Sequence, residues 1–283
     1  TPLGTILHTG DWKIDPDPLI GEDFDQAKIE QLGREGILAM VCDSTNVFEE
    51  GEAGSEGSAR TALIQAVAEQ TGRVAITSFA SNVARVQSAC EAAKMNSRSV
   101  CLVGRSMLRI VGAAQSVGML KGYSFMEPED AANLPHENIL YLCTGSQGEP
   151  NAALARIARG DHPSVKMGEG DTVIFSSRVI PGNERAIGEI QNMLAERNIR
   201  LVTSRQFDIH VSGHPCRDEL RRMYMWAKPK ISVPVHGERR HIKEHARFAL
   251  SLQVPQAITP DNGDVVRLAP GPVEIIDQVP AGR

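Results

Sequence analysis

Aromatic residues are scarce: Phe, Trp and Tyr together make up 4% of the 283 residues. That excludes an extended base-stacking platform of the kind that coats single-stranded nucleic acid. No apolar run approaches the ~20 residues needed to cross a bilayer, so no membrane partner is expected. The five cysteines (Cys42, Cys90, Cys101, Cys143 and Cys216) are odd in number, scattered and without a C-x-x-C pair. They do not make a disulfide framework and suit a reduced compartment. The N-terminus lacks the basic, apolar and small-residue succession of an export signal, and the expected location is cytoplasmic. Net positive charge is missing too. Lys and Arg number 30 against 35 Asp and Glu, a formal charge of −5, which argues against a broadly basic coat protein but leaves room for a local basic groove. An initiator methionine is also absent: Thr1-Pro2-Leu3-Gly4 runs straight into a strand pattern, and the expectation is a piece of a longer chain.

What is present is enough for one large or two medium domains, with 41% hydrophobic residues. Residues 4–8 and 37–42 read as buried strands, followed by Asp11 in HTGDWKID and Asp43 in CDSTN. Paired acidic residues at strand ends suit metal or proton chemistry, although either one could simply cap a turn. The Gly-rich stretch 51–57 marks a domain boundary and lacks the Lys-Ser/Thr ending of a phosphate-binding P-loop. From 58 to about 204, apolar strands alternate with amphipathic helices, and Ile187, Ile190, Met193 and Leu194 make a 3.6-period stripe in the last of them. Alternation of this kind implies an α/β fold, a parallel sheet flanked by helices. Three strand-to-helix turns are rich in small and polar residues: 77–82, 143–150 and 176–184. The second, CTGSQGEP, spends two glycines, a Thr and a Ser where a helix cap needs one hydroxyl, and so reads as an anion site.

Two histidine clusters dominate residues 204–241: His210 and His214 in DIHVSGH, then His236 and His241 in VPVHGERRH. Both read as lying at strand ends, where α/β folds place their sites. A strand, a helix over 217–228 and a second strand would bring His214 and His236 together. His241-Ile-Lys-Glu244-His245 also matches H-x-x-E-H, an inverted zinc-peptidase motif. Its segment is strongly charged, as solvated helix faces are.

Taken in order, HTGDWKID, CDSTN, CTGSQGEP, IPGNE, HVSGH and PVHGERRH resemble the ribonuclease J family, within the metallo-β-lactamase superfamily and with an inserted β-CASP domain. The resemblance runs from Leu7 to about Asp264. It implies a partial metallo-β-lactamase αββα fold: late strands over 1–55, the β-CASP domain over 56–204, returning strands over 205–265, and a linker over 266–283. It implies a metal-dependent ribonuclease acting 5′→3′, and endonucleolytically as well, in RNA maturation and decay. Two divalent ions, zinc or manganese, would activate the attacking water. Asp11 and His236 would be metal ligands, Asp43 and His214 catalytic. Gly145, Ser146, His210 and Ser212 would hold the substrate's terminal 5′-monophosphate. The family further implies a homodimer.

One departure is large: the superfamily's ligand motif H-x-H-x-D-H does not occur in the 283 residues. The expectation is therefore the second half of a catalytic fold, with little hydrolysis by this chain alone. Two other classes stand beside the nuclease: a catalytically silent β-CASP subunit that only binds RNA, and the zinc peptidase.

Overall fold

The computed structural model describes residues 1–282. In chain order the elements are β1 (Thr5–His8), α1 (Gln26–Glu35), β2 (Ile37–Asp43), α2 (Glu56–Ala68), β3 (Val74–Thr77), α3 (Val83–Met95) and β4 (Ser99–Val103). Then come α4 (Arg105–Ser116), α5 (Pro128–Ala131), β5 (Ile139–Cys143), α6 (Ala153–Arg159), β6 (Thr172–Phe175), α7 (Glu184–Glu196) and β7 (Arg200–Val202). The chain continues through α8 (Arg217–Ala227), β8 (Ile231–Val235), α9 (Arg239–Ser251), β9 (Gln256–Ala257), β10 (Asp264–Arg267) and β11 (Glu274–Gln278). They form two compact units. The first takes Thr1–Pro16, Glu22–Gly54 and the described residues from Ser212; the second takes Asp17–Gly21 and Ser55–Val211.

The first unit is built on a four-stranded parallel sheet of order β1-β2-β8-β9. Its centre is β2, ILAMVCD, whose apolar run is covered on both faces as central parallel strands require. One face packs Met40 and Cys42 with Leu220, Met223 and Tyr224 of α8 and Phe248 of α9. Pro234 is tolerated inside β8 because β9 pairs only with Ile231 and Ser232, so no ladder donor is lost at position 234. Helix α1 begins at Asp25, whose carboxylate accepts the Lys28 N–H at 2.9 Å. Gly33 in α1 permits close helix packing, since a Cβ there would lie 2.0 Å from the Trp226 carbonyl oxygen. Strand β1 exists but is not the buried strand that its sequence suggests. It is a sheet edge paired only with β2, and Ile6 is exposed. The stretch 266–283, expected as a linker, supplies most of an antiparallel hairpin, β10 with β11.

The second unit is a five-stranded parallel sheet of order β4-β5-β3-β6-β7 with an apolar core on each face. Leu63, Val86, Ala89 and Met107 of α2, α3 and α4 cover one side; Leu154, Ile157, Ile187 and Ile190 of α6 and α7 cover the other. Ser55 and Asn82 cap α2 and α3 through side-chain oxygens that accept N–H groups from Gly57 and Arg85. Arg85 is almost wholly buried. It forks onto the Glu56 carboxylate and donates to the Ser176 and Ile209 carbonyls, so every part of its charge is met inside the core.

Candidate functional site

The parallel register of the first unit sets its chemistry. Strand β2 ends at Asp43, which pairs in register with Val235, the last residue of β8 and the neighbour of His236. The two strands thus deliver a carboxylate and an imidazole to one sheet edge. Asp43 is buried, and its Oδ1 accepts from Thr45 N at 2.9 Å and lies 2.7 Å from Thr45 Oγ1. Its Oδ2 lies 2.7 Å from His214 Nδ1. Burial is the strongest influence on Asp43 and pushes its carboxyl up. The hydrogen bonds from His214 and Thr45 together overcome it and hold the group below the ordinary aspartate range. An ionised carboxylate only accepts, so the proton in this bond sits on His214 Nδ1, and the bond fixes the tautomer and orientation of the ring.

His214 stands against His236, with ring centroids 5.2 Å apart. His236 Nε2 is 3.5 Å from Asp11 Oδ1. Each of Asp11, His214 and His236 offers one ligand atom, and these atoms lie within 4.8 Å of one another. A carboxylate and two imidazoles are donors that zinc accepts, and three of them leave coordination positions open for water or substrate. The residues present therefore fit a divalent ion. His236 adopts a left-handed backbone, φ +57°, which a residue other than glycine takes up only where its surroundings enforce it. The Thr45 hydroxyl, 3.1 Å from the His236 carbonyl, is part of that enforcement.

His210 and His214 do not sit at a strand end as the sequence suggested. Strand β7 stops at Val202, and both lie in the irregular stretch between it and α8. That stretch is tied down by Asn46, to which sequence reasoning gave no role. Its side-chain amide donates to Ser212 Oγ at 2.8 Å and to the His214 carbonyl at 3.0 Å. The neighbouring motif D-S-T-N carried the only signal, and nothing in it distinguishes Asn46 from an ordinary turn residue.

In the second unit Ser146 and His210 line one cavity of about 670 Å³, together with Arg178, Thr203 and Arg205. Gly145 precedes Ser146 with φ +113°, and a Cβ there would stand 2.9 Å from Leu154 Cβ, so the turn needs glycine. Gln147 braces it, donating to the Arg178 carbonyl and accepting from Ile180 N. Helix α6 starts at Ala153 and has 7 residues. Ser212 belongs to the first unit, where its hydroxyl accepts from Asn46 and from His214 N.

The H-x-x-E-H reading fails on contacts. His245 is fully buried, with Nδ1 2.8 Å from Ser44 Oγ and Nε2 2.9 Å from the Tyr224 hydroxyl. Both ring nitrogens are used in the core and neither can reach a metal. Glu244 pairs with Arg217 at 3.1 Å.

Two family models match the chain: "Ribonuclease J, beta-CASP domain" over residues 71–194 and "Zn-dependent metallo-hydrolase RNA specificity domain" over residues 199–251. Ribonuclease J of Sinorhizobium meliloti is 48% identical over 284 residues, covering 100% of this chain and 50% of that protein. The Synechocystis enzyme of the same name is 39% identical over 286 residues, 100% of this chain and 45% of the relative. That of Thermus thermophilus is 37% identical over 285 residues, 100% and 50% respectively. The chain thus spans about half the length of the curated relatives it matches. With two parallel sheets flanked by helices and both models falling in order along it, the chain belongs to the ribonuclease J family of β-CASP proteins.

Proposed function

We propose that the chain is part of a metal-dependent ribonuclease that hydrolyses RNA phosphodiesters, working 5′→3′ from a 5′-monophosphate end and also endonucleolytically, in RNA maturation and decay. Asp11 and His236 act as metal ligands. Asp43 and His214 act as the catalytic pair, and Gly145, Ser146, His210 and Ser212 as residues that meet the terminal phosphate. Bound divalent ions, two of them and zinc or manganese in identity, supply a water of lowered pKa and a clamp on the phosphodiester. His214 holds or moves a proton at Nε2, toward the oxygen that leaves or the charge that develops, while Asp43 fixes the ring and its tautomer. Two ions need more donors than Asp11, His214 and His236 provide, so the chain alone hydrolyses little RNA. The homodimer follows from the family resemblance, and the cytoplasmic setting from five scattered, buried cysteines without a C-x-x-C pair.

The observation that carries this reading is the convergence of Asp11, His214 and His236 with Asp43 buried behind His214. A wholly silent RNA-binding subunit has no chemical reason to keep that arrangement. The test is turnover of 5′-monophosphorylated RNA by a protein of the relatives' full length. Asp43→Asn should lower kcat ~10²–10⁴-fold with little change in KM, the range general acid–base groups contribute. His236→Ala should abolish both turnover and zinc uptake by titration. Full turnover in either variant would remove the proposed roles.

A further inference from the structure

Phe48 is an outlier. Twelve aromatic residues are present, and among the described ones Phe48 alone is exposed, with 50% of its surface accessible. A single exposed apolar side chain is ordinary on a protein surface; this one is singled out by how it is held and where it stands. The backbone on either side is pinned. Val47 is buried, Val47 N donates to the Ser44 carbonyl, and Glu49 N donates to the Asn46 carbonyl. The Val47 carbonyl accepts from Arg217 Nη1 and the Glu49 carbonyl from Arg217 N. The phenyl ring therefore projects from a rigid loop, so little conformational freedom is lost when something stacks on it.

Its surroundings lead back to the candidate metal site. The loop begins at Asp43, and Thr45 of the same loop touches the His236 carbonyl. The ring of Phe48 meets the His241 imidazole edge-on, with centroids 5.4 Å apart at 61°. His241 is itself fixed, its Nδ1 accepting from Glu238 N at 3.1 Å. It lies so close to the residue after His236 that a Cβ on Gly237 would stand 2.9 Å from its own Cβ.

We propose that Phe48, braced by His241, is a stacking platform for one nucleobase of the RNA strand next to the scissile phosphate. The inference rests on the ribonuclease reading and adds a base contact to it. One ring suits one base and tolerates any sequence, because every base offers a π face. Scarcity of aromatics elsewhere is consistent with a single platform rather than a coat.

The experiment is equilibrium binding of a fluorescein-labelled single-stranded RNA to the chain in chelator, which prevents cleavage. It is repeated with one abasic residue walked along the strand. Phe48→Ala should weaken binding about tenfold, within the range measured for loss of one base stack. Phe48→Trp should restore it. One abasic position should cost the wild type the same factor and cost Phe48→Ala nothing further. Equal affinity of wild type and Phe48→Ala, or an abasic penalty that persists unchanged in the variant, overturns the platform while leaving the nuclease standing. No RNA binding by the wild type would overturn both.

Discussion

Acid should weaken the first unit through His245, and the size of the effect can be worked out. His245 is buried between Ser44 and Tyr224, with Tyr224 passing its contact on to Ser232 at 2.7 Å. Burial is the main cause that pushes its pKa down to about 4, with Arg217 adding to the shift and Asp43 opposing it. The folded state thus keeps the ring neutral where the unfolded chain, titrating near 6.5, takes up a proton. A group of this sign contributes its full stability above about pH 6.5 and loses it as pH falls toward 4. Linkage between those two values makes the loss at pH 5 about 2 kcal/mol relative to neutral pH. Urea unfolding followed by tryptophan fluorescence reads the first unit alone, because Trp12 and Trp226 both belong to it. His245→Gln keeps a hydrogen-bonding side chain without the titration. Between pH 7.5 and pH 5 the wild type should lose about 2 kcal/mol more than this variant. Asp43, whose depressed carboxyl also favours the fold at higher pH, is present in both proteins and cancels. Equal losses in the two would refute a neutral, buried His245.

Arg85→Met should destabilise the second unit by about 3–5 kcal/mol, since Glu56 loses its buried partner; calorimetry should show the corresponding transition move down while the first unit's holds. Gly145→Ala forces a left-handed position and a contact at 2.9 Å with Leu154. It should cost about 1–3 kcal/mol and lower the affinity of the second-unit cavity for inorganic phosphate in a direct titration.

Most of the second unit can be read from its sequence because each buried strand is a short apolar run followed by an amphipathic helix, a local pattern that survives without knowledge of contacts. The first unit is harder. Strand β1 has the apolar character of a buried strand, yet burial depends on how many neighbours a strand finds, and β1 has one. His245 sits in a charged run and looks solvated; only the helix phase that turns it toward Ser44 and Tyr224 makes it a core residue. The bond from Asp43 to His214 spans 171 residues, a distance at which sequence spacing carries no geometry. Motifs could nominate both partners, but the register of β2 against β8 brings Asp43 to the edge beside His236, while His214 arrives on an irregular stretch held by Asn46. Asn46 was invisible for the same reason.

That register has a consequence for how the chain is made. Strand β2 forms its ladder with β8, Ala39 opposite Ile231, across about 190 residues of intervening chain. At ribosomal speeds of ~5–20 residues per second, roughly 10 to 40 s separate the synthesis of the two strands. Through that interval ILAMVC has no β8 to pair with, and an apolar strand with an open ladder edge is what holdase chaperones capture and what aggregates nucleate on. Nearly all of the second unit, Ser55–Val211, emerges without interruption and can close its own sheet during the wait. Strand β2 therefore completes its ladder only after the whole of the second unit has been translated.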